Sequence, residues 1–226
     1  MAVHLLTAVL LEPLALSLQI AVLATLLAGT SALALIALTH GKRIAGVVDA
    51  VLTAPLVLPP TVLGYYLLTL LGRRSALGAA WEWLTGSSFV FTRTGAVIAA
   101  TITALPLVLQ SARAAIDAVD PTLLDAARTL GASRLGALSR VALPLASRGV
   151  AAGLLLGFAR ACGDFGVTLM IAGNIPGETQ TAALALYDAV LAGREADARS
   201  LAVALTVLAV VLIASVQWLG RRPHAR

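Results

Sequence analysis

Charged side chains are scarce in this sequence. Asp, Glu, Lys and Arg make up only 12% of its 226 residues, about half the share of a soluble domain. Aromatic residues account for 4%, Lys42 is the only lysine, and Cys162 is the only cysteine. A single cysteine excludes a disulfide-stapled scaffold. His4, His40 and His224 stand far apart with no metal-ligand spacing, so no metal is expected. Hydrophobic residues at 59% exclude a disordered chain, and a soluble globule of this composition would lack the polar surface to cover its core. What the chain does have, at a mean hydropathy of +0.94, is long apolar runs, at about 13–39, 46–71, 95–109, 149–172 and 201–219. A membrane-crossing helix needs about 20 such residues. The expectation is an all-α integral membrane protein with five transmembrane helices and short connections.

The net charge of +5 does not point to nucleic acid, because the basic residues are spread over the connections between apolar runs. They bear on topology instead, since Lys and Arg collect on the cytoplasmic side. With the N-terminus outside, ten basic residues face the cytoplasm (Lys42, Arg43, Arg113, Arg128, Arg134, Arg140, Arg148, Arg221, Arg222, Arg226) and five face outward (Arg73, Arg74, Arg93, Arg194, Arg199). This asymmetry predicts N-out, C-in. Residues 1–12 form a short extracytoplasmic segment, 13–219 the membrane domain and 220–226 a cytoplasmic tail. The segment before Glu12 carries no Lys or Arg, so the first span is expected to direct insertion itself rather than be cleaved as a signal peptide. The third run extends towards Ile116 if Arg113 snorkels to the interface. Trp81, Trp83, Phe89, Phe91 and Trp218 suit interfacial belts.

The second run contains Pro55, Pro59 and Pro60 followed by Thr61, and the third contains Pro106. Each proline removes a backbone donor, so a kink or local opening is expected at Pro59, Pro60 and Thr61, as a gate or as an ordinary packing kink. The hydroxyls of Thr61, Thr101 and Thr103 are placed to satisfy freed carbonyls. In the fourth run Gly149, Gly153 and Gly157 repeat every four residues, a small-residue stripe that admits a close neighbouring helix. On a continuous helix Arg160 returns to within about 20° of Gly149, and Asp164 to within about 60°. Lone charges in a bilayer are costly, so Arg160 and Asp164, four apart, are expected to pair, either along a transport pathway or as a device fixing register.

Between the third and fourth runs, at about 117–146, lies the longest polar stretch assigned to the inner side. Asp120-Pro121 reads as an N-cap followed by proline at the first helical position. Leu123, Leu124, Ala127 and Leu130 make one apolar face, and Gly131 is the expected stop. A second short helix over 133–141 is expected to end before Leu143-Pro144. The first of these helices fits a lipid surface, its own bundle or a partner's groove.

Asp125-Ala126-Ala127, then Gly131, then Leu143-Pro144 resembles the EAA motif of ABC-importer permease subunits, with Asp125 in the place of the usual Glu. Residues 55–65, 158–166 (Phe-Ala-Arg-Ala-Cys-Gly-Asp-Phe-Gly) and 173–179 (Gly-Asn-Ile-Pro-Gly-Glu-Thr) are similar to the molybdate-transport permeases, and the sulfate permeases share much of that pattern. In the molybdate group Glu is common where Asp164 stands here. The resemblance implies a type I ABC importer permease fold in the cytoplasmic (inner) membrane. It also implies a homodimer, a cytoplasmic ATPase subunit gripping a coupling helix at Asp125, Ala126, Ala127, Gly131, Leu143 and Pro144, and an extracytoplasmic oxyanion-binding protein. The substrate it implies is molybdate, with tungstate and sulfate as alternatives.

On this reading the chain is a transport subunit and not an enzyme. It binds no cofactor itself, and ATP and Mg are used by the partner. Gly41-Lys42 is no phosphate-binding loop, since Ile36 stands where the first glycine is required and Arg43 follows. A stand-alone secondary transporter would show an inverted repeat, and the two halves are not similar. An intramembrane protease would need a second carboxylate at the depth of Asp164, whereas Asp49 reads as a boundary residue.

Overall fold

The computed structural model describes residues 10–40, 42 and 44–220. Residues 1–9 of the expected outer segment, Arg43 and the tail 221–226 lie outside the described residues. The regular elements among the described residues are all helices: α1 (Glu12–Thr39), α2 (Ala45–Val57), α3 (Pro60–Leu71), α4 (Ala76–Thr85), α5 (Arg93–Asp117), α6 (Pro121–Thr129), α7 (Arg134–Ala137), α8 (Leu143–Cys162), α9 (Gly166–Ala172), α10 (Ala182–Leu191) and α11 (Glu195–Gly220).

Four helices are long and apolar enough to cross a membrane: Glu12–Thr39, Arg93–Asp117, Arg134–Cys162 and Glu195–Trp218. The second apolar run is instead the pair α2 and α3, bent by 112°. The break falls at Leu58 and Pro59, both extended at ψ 137° and 134°, as expected where consecutive prolines cannot continue a helix. The pair is nonetheless one crossing. The C-terminal end of α1 and the start of α2 both meet Arg113 near the end of α5, while Leu68 and Arg73, at the far end of α3, share a cavity with Phe91 and Thr92 at the start of α5. Since α1 and α5 run in the same direction, the chain between them must traverse the bundle.

The core is built from alanine. Ala21, Ala24, Ala28 and Ala32 of α1 and Ala96, Ala100, Ala104 and Ala112 of α5 are fully buried in one cluster. Their spacing puts them on one face of each helix, and small side chains bring the backbones close where lipid supplies no hydrophobic drive. Larger residues such as Ile36, Leu109 and Ile116 are buried beside them, while many others point outward, among them Leu23, Leu26, Val207 and Val210.

Two expectations about the fourth run are corrected. No separate helix ends before Leu143-Pro144, because α7 continues through a π-turn at Leu138–Ala142 directly into α8. The Leu143 N–H reaches back to the Leu138 carbonyl, and this wider turn makes room for the Pro144 ring without breaking the rod. Nor is 149–172 one helix: α8 stops at Cys162, Gly163–Phe165 are non-helical, and α9 starts afresh at Gly166.

Candidate functional site

Helix α6 stands at the end of the bundle with no buried residue. Asp120 caps it, accepting from the Thr122 N–H at 2.9 Å and from its hydroxyl at 2.7 Å. These bonds, the one from the Thr122 hydroxyl first, hold the Asp120 carboxyl below its ordinary value of 3.8 and so favour the ionised cap. Gly131 ends the helix at φ +91°. Its N–H donates to the Arg128 carbonyl at 3.0 Å, and that of Ala132 donates to Ala127 at 3.0 Å, the paired bonds of a left-handed helix stop. The expected apolar face divides. Leu124 packs on the core, whereas Leu123 and Leu130 are exposed, Leu130 by 88%. Asp125 is exposed and 3.7 Å from Arg128, a surface pair worth little. Asp125, Ala126, Ala127 and Gly131 therefore share one protruding unit. Leu143 and Pro144 do not belong to it; they form the foot of α8, with Leu143 against the core.

The glycine stripe lies where the spacing placed it, against α5. A Cβ on Gly153 would come within 2.7 Å of the Ser111 Cβ, and Cβ atoms on Gly149 and Gly157 would collide with Ala115 and Val108. Ser111 closes the seam by donating to the Gly149 carbonyl at 3.3 Å.

At its far end Arg160 and Asp164 pair, Nη1 to Oδ1, at 3.0 Å, although the helix between them has ended. Asp164 is 1% exposed and Arg160 31%. The second carboxylate oxygen accepts from the Thr168 N–H at 3.0 Å and from its hydroxyl at 2.7 Å. Asp164 therefore starts α9 and balances Arg160 at once; Thr168 was not singled out by its sequence context. The break at Pro59-Pro60 abuts this one, since a Cβ on Gly166 would fall 2.7 Å from the Pro60 Cβ. Two interrupted spans meet side by side, with Pro59, Pro60 and Thr61 exposed. The threonines near Pro106 do not act as expected. Thr101 donates to Val97 and Thr103 to Ala100, neither to the Ile102 carbonyl that Pro106 frees, and α5 runs on unbroken.

One cluster was misread from sequence. Arg113 does not snorkel. It turns inward, 15% exposed, with Nε 2.7 Å from Oδ2 of Asp49 and Nη2 donating to the Thr39 hydroxyl at 2.8 Å. Asp49 is a tertiary partner rather than a simple boundary residue. An Arg and an Asp in neighbouring apolar runs were the available signal. At the opposite end Arg93 donates to the Gly177 and Glu178 carbonyls at 2.9 and 3.0 Å and holds the Asn-Ile-Pro turn.

Residues 13–224 match the family model described as "Binding-protein-dependent transport system inner membrane component". The chain is 41% identical over 180 residues to the Molybdenum transport system permease protein ModB of Escherichia coli (strain K12), covering 79% of this chain and 78% of the relative. It is 40% identical over 185 residues to the ModB protein of Haemophilus influenzae, covering 81% and 79%. The Escherichia coli sulfate transport permease CysT is 35% identical over 141 residues, covering 62% of this chain and 50% of its own. Among solved structures, a chain of a bacterial ABC transporter that imports alginate superposes at TM-score 0.67 with 17% identity, covering 93% of this chain and 77% of that one. A chain of an amino acid ABC transporter gives 0.65 with 18% identity, covering 96% and 95%. The fold is that of an ABC importer permease, and this chain is a multi-pass membrane protein that belongs to the binding-protein-dependent transport system inner membrane component family.

Proposed function

We propose that this chain is the permease subunit of an ATP-driven importer that carries molybdate across the inner membrane by alternating access. The observation that carries this reading is identity of about 40% to molybdenum permeases along four-fifths of the chain. The weaker and shorter similarity to the sulfate permease makes sulfate the second reading, with tungstate as a close chemical relative of molybdate. ATP hydrolysis belongs to a separate cytoplasmic subunit that docks on α6, and an oxyanion-binding protein delivers substrate at the opposite face. The membrane part is a homodimer, with the N-terminal end of α1 outside and α6 inside.

The geometry suits this division of labour. A short helix with exposed Leu123 and Leu130 and small Ala126 offers a groove-filling surface, and its capped start and glycine stop keep it rigid enough to transmit a push. ATP binding biases the two-state equilibrium of the bundle only through the partner's different affinity for its two states. Asp125 to Gly131 are the coupling positions, and Leu143 and Pro144 anchor the foot of α8 behind them. The Arg160–Asp164 pair keeps a charged group at the meeting of two broken spans, where the pathway passes.

Reconstitution in liposomes with the ATPase subunit and the cognate binding protein tests this. Stimulation by molybdate-loaded binding protein above the empty protein, with none from sulfate, is the expected result. Stimulation by sulfate alone moves the substrate and keeps the mechanism. No assembly with an ATPase subunit overturns the reading.

A further inference from the structure

We propose that Arg113 and Asp49 are positioning residues that pass movement of α6 to the bent span. This rests on the reading of the chain as an ATP-coupled permease.

Within one chain, helix α2 is lightly packed. None of its residues is buried, Val47, Val51 and Val57 face outward, and its packing is chiefly on α5. Its one ion pair among the described residues is Asp49 to Arg113. The neighbouring elements are firmly held. Helix α1 is locked to α5 through the alanine seam, and α3 is seated on α9, where a Cβ on Gly64 would come within 2.7 Å of the Met170 Cβ. A lightly attached rod between two anchored ones, with a 112° bend at its far end, is placed to swing about Leu58 and Pro59.

Arg113 is the handle at the near end. Helix α5 ends at Asp117 and α6 is capped by Asp120, so Arg113 sits about one helical turn before the segment that the partner moves. Its guanidinium spans two elements, Thr39 on the fixed side and Asp49 on the swinging side. The contact is incomplete: Oδ2 of Asp49 holds the Arg113 Nε at 2.7 Å, whereas its Oδ1 is buried with no hydrogen-bond partner among the described residues. A static staple would be expected to satisfy such groups, because leaving them unmade is costly. A pair that exchanges partners between two states leaves one set unmet in each. Beyond the bend, Pro60 presses on Gly166, which follows Asp164 and its Arg160 pair. One path from α6 to the paired breaks thus runs through this ion pair, alongside the α5–α8 seam.

The test uses the whole transporter, wild type, Asp49→Asn and the swap Asp49→Arg with Arg113→Asp. Two readouts are taken: stimulation of ATP hydrolysis by loaded binding protein, and the distance between spin labels on α1 and α2 (Leu38→Cys and Val51→Cys, with Cys162→Ala) with and without ATP. Asp49→Asn, which preserves volume, is expected to lower stimulation by about fivefold or more and to abolish the ATP-dependent change in label distance, while the swap recovers a large part of both. Wild-type stimulation and wild-type label movement in Asp49→Asn overturn the proposal. So does a label distance that ATP leaves unchanged in a wild-type transporter whose hydrolysis is stimulated. Where the swap fails to assemble, Asp49→Asn decides. An unstimulated wild-type transporter instead overturns the functional reading, and the proposal falls with it.

Discussion

Asp164 makes three contacts from one carboxylate, to the Arg160 guanidinium and to the N–H and hydroxyl of Thr168. An intramembrane charge is tolerated when paired in this way. The pair was legible in the sequence because its members are four residues apart. The Asp49–Arg113 pair was not, because no local periodicity connects two residues on different helices. Gly131 is the other residue whose identity is dictated locally. A Cβ there would meet nothing within 4 Å, so space is not at issue, but φ +91° is. Gly131→Ala is expected to cost about 1 kcal/mol at the helix stop, and Gly131→Asn less, because Asn tolerates the left-handed region. Insertion and assembly should be normal in both variants. Coupling of hydrolysis to uptake in liposomes should fall more for Ala than for Asn. Equal, wild-type uptake in both would remove the need for this helix stop.

The elements show how prolines with similar sequence signals come to different ends. Pro106 sits inside an intact α5, held on both sides by the α1 and α8 seams. Pro59 and Pro60 break their span, where exposed residues around them offer no such support. Pro144 is absorbed by a π-turn. Neighbouring packing decides among these outcomes, which is why the fourth run looked continuous where it breaks and broken where it continues. The glycine stripe is the reverse case, since spacing alone predicted a close neighbour. Gly157→Ala should cost about 1–3 kcal/mol through overpacking against Val108. Adding Val108→Ala should recover part of that loss, as expected for residues in contact. Thermal unfolding in detergent, followed by a thiol dye reacting with buried Cys162, gives both values. Additive losses in the double variant would show that the two side chains do not compete for the same space.

For the whole molecule, five crossings place the described ends on opposite faces. Helix α1 starts beside Arg93 and the Asn-Ile-Pro turn, sharing a cavity lined by Glu12, Arg93 and Pro176. The last helix begins at that same end, where Leu201 clusters with Ala182, Leu14 and Leu10. The distribution of basic residues predicts that the α6 end lies inside. Single-cysteine variants in a Cys162→Ala background check this. Ser87→Cys is expected to react with an impermeant maleimide from outside intact cells, and Ser139→Cys only from the inner side. Reversed labelling would invert the assignment.

Composition and run length determined the class, the number of crossings and the presence of a helix capped by Asp120 and stopped by Gly131. Those depend on local backbone preference and on the cost of burying polar groups in lipid, and both are written in short stretches of chain. Spacing also determined the glycine seam, through helical geometry, and put Asp164 within reach of Arg160 although the helix ends between them. Which prolines break a span, how the two breaks come to lie against each other, and how Arg113 joins Thr39 to Asp49 were decided only by tertiary structure. Each depends on what a neighbouring helix, distant in sequence, presents at the same depth in the membrane.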